Sequence, residues 1–527
     1  MALSVSPLFL NGCVLQRGDK TKIWGNAVPF EAVYVEFIGV QYKAYASADG
    51  AWEVSFGDLA PGGAHRILVQ SKEERLVVDD VLIGDVWVCG GQSNMEMTMW
   101  DVRHLYADTV DENENTFIRQ FSVPEWYDFT KPCANVGGMF SDECKWSPVN
   151  AETVPDFTAV GYFFAKKLYE RYEIPIGIIK TAVGGTPIHA WMGSDMLADC
   201  PAELKEANLY ANSAFVEQSS RAYEKSMTEQ TEALNKKDEG FLETWYAKEY
   251  DDTNWDEREL CVPWDDGLRQ SGVIWFRKTI EIPEKIDDKP ATMFLGAVAD
   301  ADTVYVNGEV LGETDNKYTL REYNITSLKA GPCVIAIRVR NFYGSGGFVP
   351  DKPYFISCGR NTIQLDGIWK YRRAASCDNF PKPFNIITKP TGLFNGMIAP
   401  LTRYAIKGIT WYQGESDDAS PDGYGEKFIN LINGWRKWWG LGNILFIFAE
   451  LTYWAQGSNW DYLRKQQKSA LALQNTAMVR TIDVGEYNDL HPLNKETIGY
   501  RMAQATMENP PASPFILYGG LTIVGEG

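Results

Sequence analysis

A serine placed directly after a buried strand is a candidate nucleophile, and this chain offers one in Gly90-Gly91-Gln92-Ser93-Asn94-Met95. Flanking glycines let the backbone turn tightly and hold the hydroxyl out. A helix starting just beyond would aim N–H groups at the same spot, where they can stabilise a developing negative charge. The same residues also suit a plain serine helix cap. For acyl transfer the hydroxyl needs one imidazole to take its proton and pass it to the leaving group. The chain has four histidines, His65, His104, His189 and His491. His65 falls in an N-terminal β-rich region and His104 several residues past the serine turn. His189 and His491 each follow a predicted strand, the latter in Asn488-Asp489-Leu490-His491-Pro492.

Two more strand ends carry suitable groups. Gly184-Gly185-Thr186 follows Ile176–Ala182. A glycine there lets a ligand approach the backbone, so its N–H can face an oxyanion; a plain turn is the other reading. Gln413-Gly414-Glu415-Ser416-Asp417 follows Ile406–Tyr412. Gln413 can place a side-chain amide in the site, or simply stabilise a polar turn.

The elements that must position these residues are legible in the hydrophobic pattern. Val81–Cys89 is a nearly continuous apolar run, as expected of a strand buried on both faces. Strands at Ile176–Ala182, Ile406–Tyr412, Ile444–Leu451 and Ala477–Asp483 alternate with helix candidates at Gly161–Tyr172, Gly425–Trp439, Leu463–Leu473 and Leu493–Met507. That alternation predicts about five parallel strands in one doubly wound sheet. Ligands of such sheets bind beyond the carboxyl ends of the strands, where all four candidate segments lie. Residues 1–79 read instead as short strands broken by turns, a small β-sandwich. Residues 205–245 are polar and read as exposed helix or linker, and from 246 short alternating strands return, with a hairpin turn at Asn307-Gly308.

Bulk composition narrows the function classes. The 527 residues predict two to four domains. A net charge of −20 disfavours nucleic acid and anionic membrane surfaces as partners. The 18 tryptophans and 26 tyrosines suit sugar stacking, although such residues also pack cores. The nine cysteines include no CxxC pair, and no His/Asp/Glu cluster has ligand spacing, so neither metal nor cofactor is expected. The N-terminus lacks a basic stretch followed by a long apolar core, so no signal peptide is expected. A cytoplasmic protein is therefore the favoured reading, or a secreted one if the N-terminus has been processed.

Gly91-Gln92-Ser93-Asn94-Met95 resembles the nucleophile block of the SGNH-hydrolase superfamily, and specifically of the sialate O-acetylesterase family. Val14-Leu15-Gln16-Arg17 and Ile23-Trp24-Gly25 resemble that family's N-terminal β domain. Gly184-Gly185-Thr186-Pro187-Ile188 with Ala190-Trp191, Trp411-Tyr412-Gln413-Gly414-Glu415-Ser416, and His491-Pro492 followed by Asn494-Lys495 resemble its later blocks, in the family's order. The resemblance implies Ser93 as nucleophile and His491, rather than His189, as base. It implies the N–H groups of Ser93 and Gly184, with the Gln413 amide, as oxyanion donors. The superfamily usually has Asp three residues before the histidine; here that residue is Asn488. Asp489, two residues before, is the expected orienting acid, with Asp483 or a bare Ser-His dyad as alternatives. Gln92, Asn94, Glu415 and His189 are further candidates for holding substrate. Trp255, Trp264, Trp275 and Val306-Asn307-Gly308 resemble a galactose-binding-like jelly roll.

The expected architecture is an α/β protein. Residues 1–79 form a β-sandwich, 80–245 and 379–527 a split flavodoxin-like SGNH-hydrolase domain with a parallel sheet, and 246–378 an inserted jelly roll. The expected function is that of a serine esterase acting on O-acetylated sugars, O-acetylated sialic acid first. An acetylxylan esterase on the same scaffold is the alternative, and a non-catalytic carbohydrate-binding protein is the reading from another class.

Overall fold

The apolar run that precedes Ser93 forms part of one long strand, β1 (Arg75–Gly91), in the computed structural model of the chain. The structure describes residues 2–508 together with 516–517, apart from 19, 112–113, 263, 265–267, 269, 343–345, 378–379 and 382–383. From Val81 to Gly91 every residue of β1 is buried. Its first half pairs antiparallel with Gly62–Gln70 of the N-terminal β region. Its second half pairs in parallel with strands on both sides. The expected boundary at 79 therefore falls inside a continuous strand. The N-terminal β region and the α/β sheet share it, and they share a core in which the Phe9 ring stacks on Tyr404 at 5.3 Å.

The remaining parallel strands are β2 (Asn115–Ser122), β3 (Ile176–Ala182), β4 (Gly408–Tyr412), β5 (Leu445–Ala449) and β6 (Thr476–Val479). Their order across the sheet is β2-β3-β1-β4-β5-β6. Side chains alternate across it, as the strand period requires. Val86 and Val88 face one core with Trp411, Phe428 and Trp435, while Trp87 and Cys89 face the other with Phe163, Phe164 and Met502. The helices covering these faces are α2 (Ala159–Tyr172), α3 (Tyr424–Trp439), α4 (Trp460–Lys468) and α5 (Lys495–Glu508). The chain leaves β1 toward β3 on one side and reaches β4 on the other, so the switch in strand order lies at the carboxyl end of β1.

The chain divides into two compact units, 1–215 with 385–527, and 216–384. The second begins upstream of the expected 246. The reason is Asp238, fully buried, whose carboxylate accepts from Trp275 Nε1 at 2.9 Å and from Arg338 Nε at 2.7 Å, both in the β-rich unit. That unit has an antiparallel six-stranded sheet and an antiparallel four-stranded sheet around their own core. In it Arg321 and Asp302 form an ion pair in which both side chains are fully buried.

Candidate active site

Gly91 ends β1 with φ of +139°, and a Cβ there would lie 2.1 Å from the Tyr412 carbonyl oxygen of β4. Only glycine fits both constraints. The chain then turns, with the Gln92 N–H donating to Tyr412 O at 2.9 Å, and Ser93 opens the short helix α1 (Ser93–Glu96). The serine thus stands at the end of a strand held on both sides, at the sheet's switch point.

His491 arrives on the loop between β6 and α5. That loop is braced by its own acids. Asp489 accepts from the His491 N–H at 2.8 Å, and Glu486 accepts from the Leu493 N–H at 2.9 Å. The imidazole Nε2 lies 2.7 Å from Ser93 Oγ, a hydrogen bond across 398 positions of sequence. A base within hydrogen-bond reach of a hydroxyl at a strand end can perform proton transfer in acyl chemistry. Asp489 Oδ1 stands 3.8 Å from His491 Nδ1, close enough for charge attraction but beyond hydrogen-bond length.

Two backbone donors flank the serine. The Ser93 N–H bonds to no group among the described residues. Gly184 follows β3, and a Cβ there would lie 3.4 Å from Ser93 Cβ, so its backbone sits against the serine. Its N–H is engaged: it donates to Glu96 Oε2 at 2.6 Å. Burial raises the Glu96 carboxyl above its usual range, opposed by the charge of Lys180 and by the Gly184 bond. Burial likewise pushes the Lys180 ammonium down, against the pull of Glu96.

The other expected site residues are taken up by bonds within the protein. Gln413 is fully buried, and its amide nitrogen donates to Thr186 O at 3.1 Å and to Asp417 Oδ2 at 2.6 Å. Both amide hydrogens are used, so it offers none to an oxyanion; it braces the turns after β3 and β4. Gln92 is also a brace, accepting from the N–H groups of Gly414 and Ser416 and donating to Ser416 Oγ. Asn94 and Glu415 are buried and bond to each other rather than lining the surface. His189 faces away, its ring nitrogen 3.0 Å from Thr388 O. Asp483, the alternative acid, is taken up by Arg501 at 2.6 and 2.8 Å.

Two charged residues near the pair, Glu96 and Lys180, escape a reading by motif, while Lys495 falls in the block that follows His491-Pro492 but draws no role from it. Glu96 and Lys495 stand among polar residues, and charge in sequence reads as surface. The signal available for Lys180 was its place inside an otherwise apolar strand.

Comparison with known proteins gives a consistent picture. The family described as carbohydrate esterase, sialic acid-specific acetylesterase, matches residues 83–259 and 386–508. The sialate O-acetylesterase of Pongo abelii is 30% identical over 206 residues, which are 36% of this chain and 39% of that protein. The sialate O-acetylesterase of Homo sapiens is 29% identical with the same coverage, so the match spans well under half the length of these relatives. A solved carbohydrate acetylesterase from Xanthomonas citri superposes with a TM-score of 0.57 at 23% identity, covering 95% of this chain and 74% of that one. At that identity the likeness is one of fold.

Proposed function

The chain belongs to the carbohydrate esterase family of sialic acid-specific acetylesterases, and from that premise we propose that it hydrolyses O-acetyl esters on sugars, O-acetylated sialic acid first among them. The observation that carries the reading is the 2.7 Å contact between Ser93 Oγ and His491 Nε2 at the switch point of the sheet. The sheet supports an SGNH arrangement. With the outer β2 set aside, the strands run second, first, third, fourth, fifth, the flavodoxin-like order. The β-rich unit is read as the jelly roll.

In this reading Ser93 Oγ attacks the acetyl carbonyl as its proton passes to His491 Nε2. The carbonyl oxygen becomes an oxyanion beside the free Ser93 N–H and the Gly184 N–H. To reach the second donor it displaces the Glu96 carboxylate. His491 then gives the proton to the departing sugar oxygen, leaving an acetyl group on Ser93. A water deprotonated by the same imidazole attacks that ester, and acetate leaves with the serine reprotonated. Asp489 holds the histidine loop through the backbone and draws the imidazolium by charge. Hydrogen bonds of this kind are often long before substrate binds and tighten in the complex.

Three exposed aromatics lie on segments that follow the strands carrying the site: Trp100 after α1, Tyr453 after β5 and Tyr487 in the histidine loop. An exposed ring with an apolar face suits a sugar leaving group. The test is Ser93→Ala, assayed on p-nitrophenyl acetate and on O-acetylated sialic acid. Turnover of both should fall by about 10⁴-fold or more, as for loss of a triad nucleophile, with the thermal midpoint unchanged. Near-normal turnover would refute the assignment.

A further inference from the structure

Asn94, the neighbour of the candidate nucleophile, is fully buried and fully bonded. Its Oδ1 accepts from Lys495 Nζ at 2.5 Å. Its Nδ2 donates to Glu415 Oε1 at 2.5 Å and to the Leu490 carbonyl at 2.9 Å. One side chain therefore ties together the turn after β1, the turn after β4, the histidine loop and the start of α5. Leu490 immediately precedes His491.

We propose that Lys495 is a positioning residue for the Ser93–His491 pair, acting through Asn94 to lock the Leu490 carbonyl, and with it the imidazole, to the turn that carries the serine. The proposal rests on the reading of that pair as the reacting groups. The argument is one of polarity. A carboxamide has an acceptor end and a donor end of nearly equal size, and only its partners fix which way it faces. An ammonium can only donate, so Lys495 requires the amide oxygen to face it. The amide nitrogen is then turned to Leu490 O and Glu415, which accept. Without the ammonium, Leu490 O and Glu415 still call for the donor end, but the buried amide oxygen loses the donor that anchors it to the start of α5, and the tie from Asn94 to the histidine loop slackens.

The surroundings suit a positioning role better than a stabilising one. Lys495 is fully buried, and Glu415 Oε2 is buried with no hydrogen-bond partner among the described residues. Buried ion pairs with unfilled bonds are a poor way to gain stability. The charges facing Lys495 are Glu415 after β4, Asp489 and Glu486 in the histidine loop, and Asp101 after α1; the Tyr412 ring lies 5.7 Å away. Burial wins over these carboxylates and pushes the ammonium down to about 8. The charged form is present below that pH and lost above it.

The test is steady-state kinetics on p-nitrophenyl acetate across pH for the wild-type protein, Lys495→Met and Asn94→Asp, with thermal melting to count folded protein. Asn94→Asp keeps an acceptor for Lys495 but has no donor for Leu490. Both variants should lose kcat by about 10²-fold with KM within a few-fold, since a displacement near 1 Å costs that much. Wild-type kcat should fall on the alkaline side with a midpoint near the lysine's, and Lys495→Met should lack that fall. Wild-type kcat in folded Lys495→Met, with the alkaline fall unchanged, overturns the proposal. If neither variant folds, a wild-type kcat that stays flat from about pH 7 to 9.5, on either side of the lysine's titration, overturns it as well. Active Ser93→Ala sinks the underlying reading, whereas inactive Ser93→Ala beside a normal Lys495→Met sinks only the positioning role.

Discussion

An aspartate that bonds a histidine's backbone and stands 3.8 Å from its ring has two separable jobs. Asp489→Asn separates them. The amide oxygen still accepts from the His491 N–H, so the turn survives, while the charge facing the imidazolium is gone. If the acid stabilises the imidazolium in the reaction, kcat should fall by about 10³–10⁴-fold with unchanged thermal midpoint. Asp483→Asn, whose carboxylate serves Arg501, should keep kcat within about twofold, the usual small effect of a substitution outside the reacting groups. Retained activity in Asp489→Asn would leave a dyad as the working unit. Glu96 poses the second residue-scale question. Its carboxylate sits on the Gly184 N–H, the donor that the proposed reaction assigns to the ester carbonyl, held by a charge-assisted bond. Glu96→Ala should therefore lower KM for p-nitrophenyl acetate and strengthen product inhibition by acetate. Acidification should mimic this in part: the group's range is raised by burial, and its charge, with the hold on Gly184, fades as pH falls through it. An acetate inhibition constant untouched by Glu96→Ala would argue that the acyl group binds elsewhere.

At the scale of elements, the turns after β1, β3 and β4 work as one braced assembly, and Gln413 is its central strut. Gln413 bonds Thr186, Asp417 and Tyr424, and burial lifts the Asp417 carboxyl to about 7. Gln413→Ala should strand these buried groups at about 1–3 kcal/mol each, lowering the denaturation midpoint, with only an indirect loss of kcat. A kcat loss of about 10²–10³ at unchanged stability is the mark of a lost oxyanion donor and would restore that role. This contrast shows what sequence could and could not tell. Strands buried on both faces are largely apolar, so the second half of β1 and strands β3, β4, β5 and β6 are legible, and with them the strand ends that carry Ser93, Gly184 and His491. Strand β2 was missed because Asn115–Ser122 is half exposed and mixes Arg119 and Gln120 with its apolar residues. The true partners of Gln92, Asn94, Glu415 and Gln413 were not legible for a different reason. Gln92 and Ser416 meet across 324 positions, and Asn94 and Lys495 across 401. Whether a polar side chain at a strand end faces solvent or a buried neighbour depends on those meetings, not on local pattern. The break at 79 failed likewise, because turn signals stop before a strand that simply continues.

For the molecule as a whole, charge is the property that bears on substrate. The chain carries −20, and the Ser93–His491 pair has the carboxylates of Glu96 and Asp489 close by. A sugar acid such as sialic acid brings its own carboxylate into that field, whereas an acetylated neutral sugar does not. Summed surface potentials change encounter rates and are screened by salt, with a Debye length of about 30 Å at 0.01 M and 10 Å at 0.1 M. If repulsion dominates, raising ionic strength should increase kcat/KM for O-acetylated sialic acid by a few-fold. The value for an acetylated xylo-oligosaccharide should stay flat, because nothing on that substrate is repelled. Local attraction opposes this only if a cation near the site meets the sugar carboxylate. Lys180, half-buried on β3 and attracted to Glu96, is a candidate for that role. The two fields differ in reach, since a long-range repulsion is screened first and a contact pair last. The measurement is kcat/KM for both esters over a salt series at fixed pH. A fall with salt for the sialic acid ester, against a flat neutral ester, would mean that a contact cation governs recognition and that the global charge does not. A rise confined to the acidic ester would identify a carboxylate-bearing sugar that must approach against the protein's own field, and its kcat/KM relative to the neutral ester should then be lowest in dilute buffer.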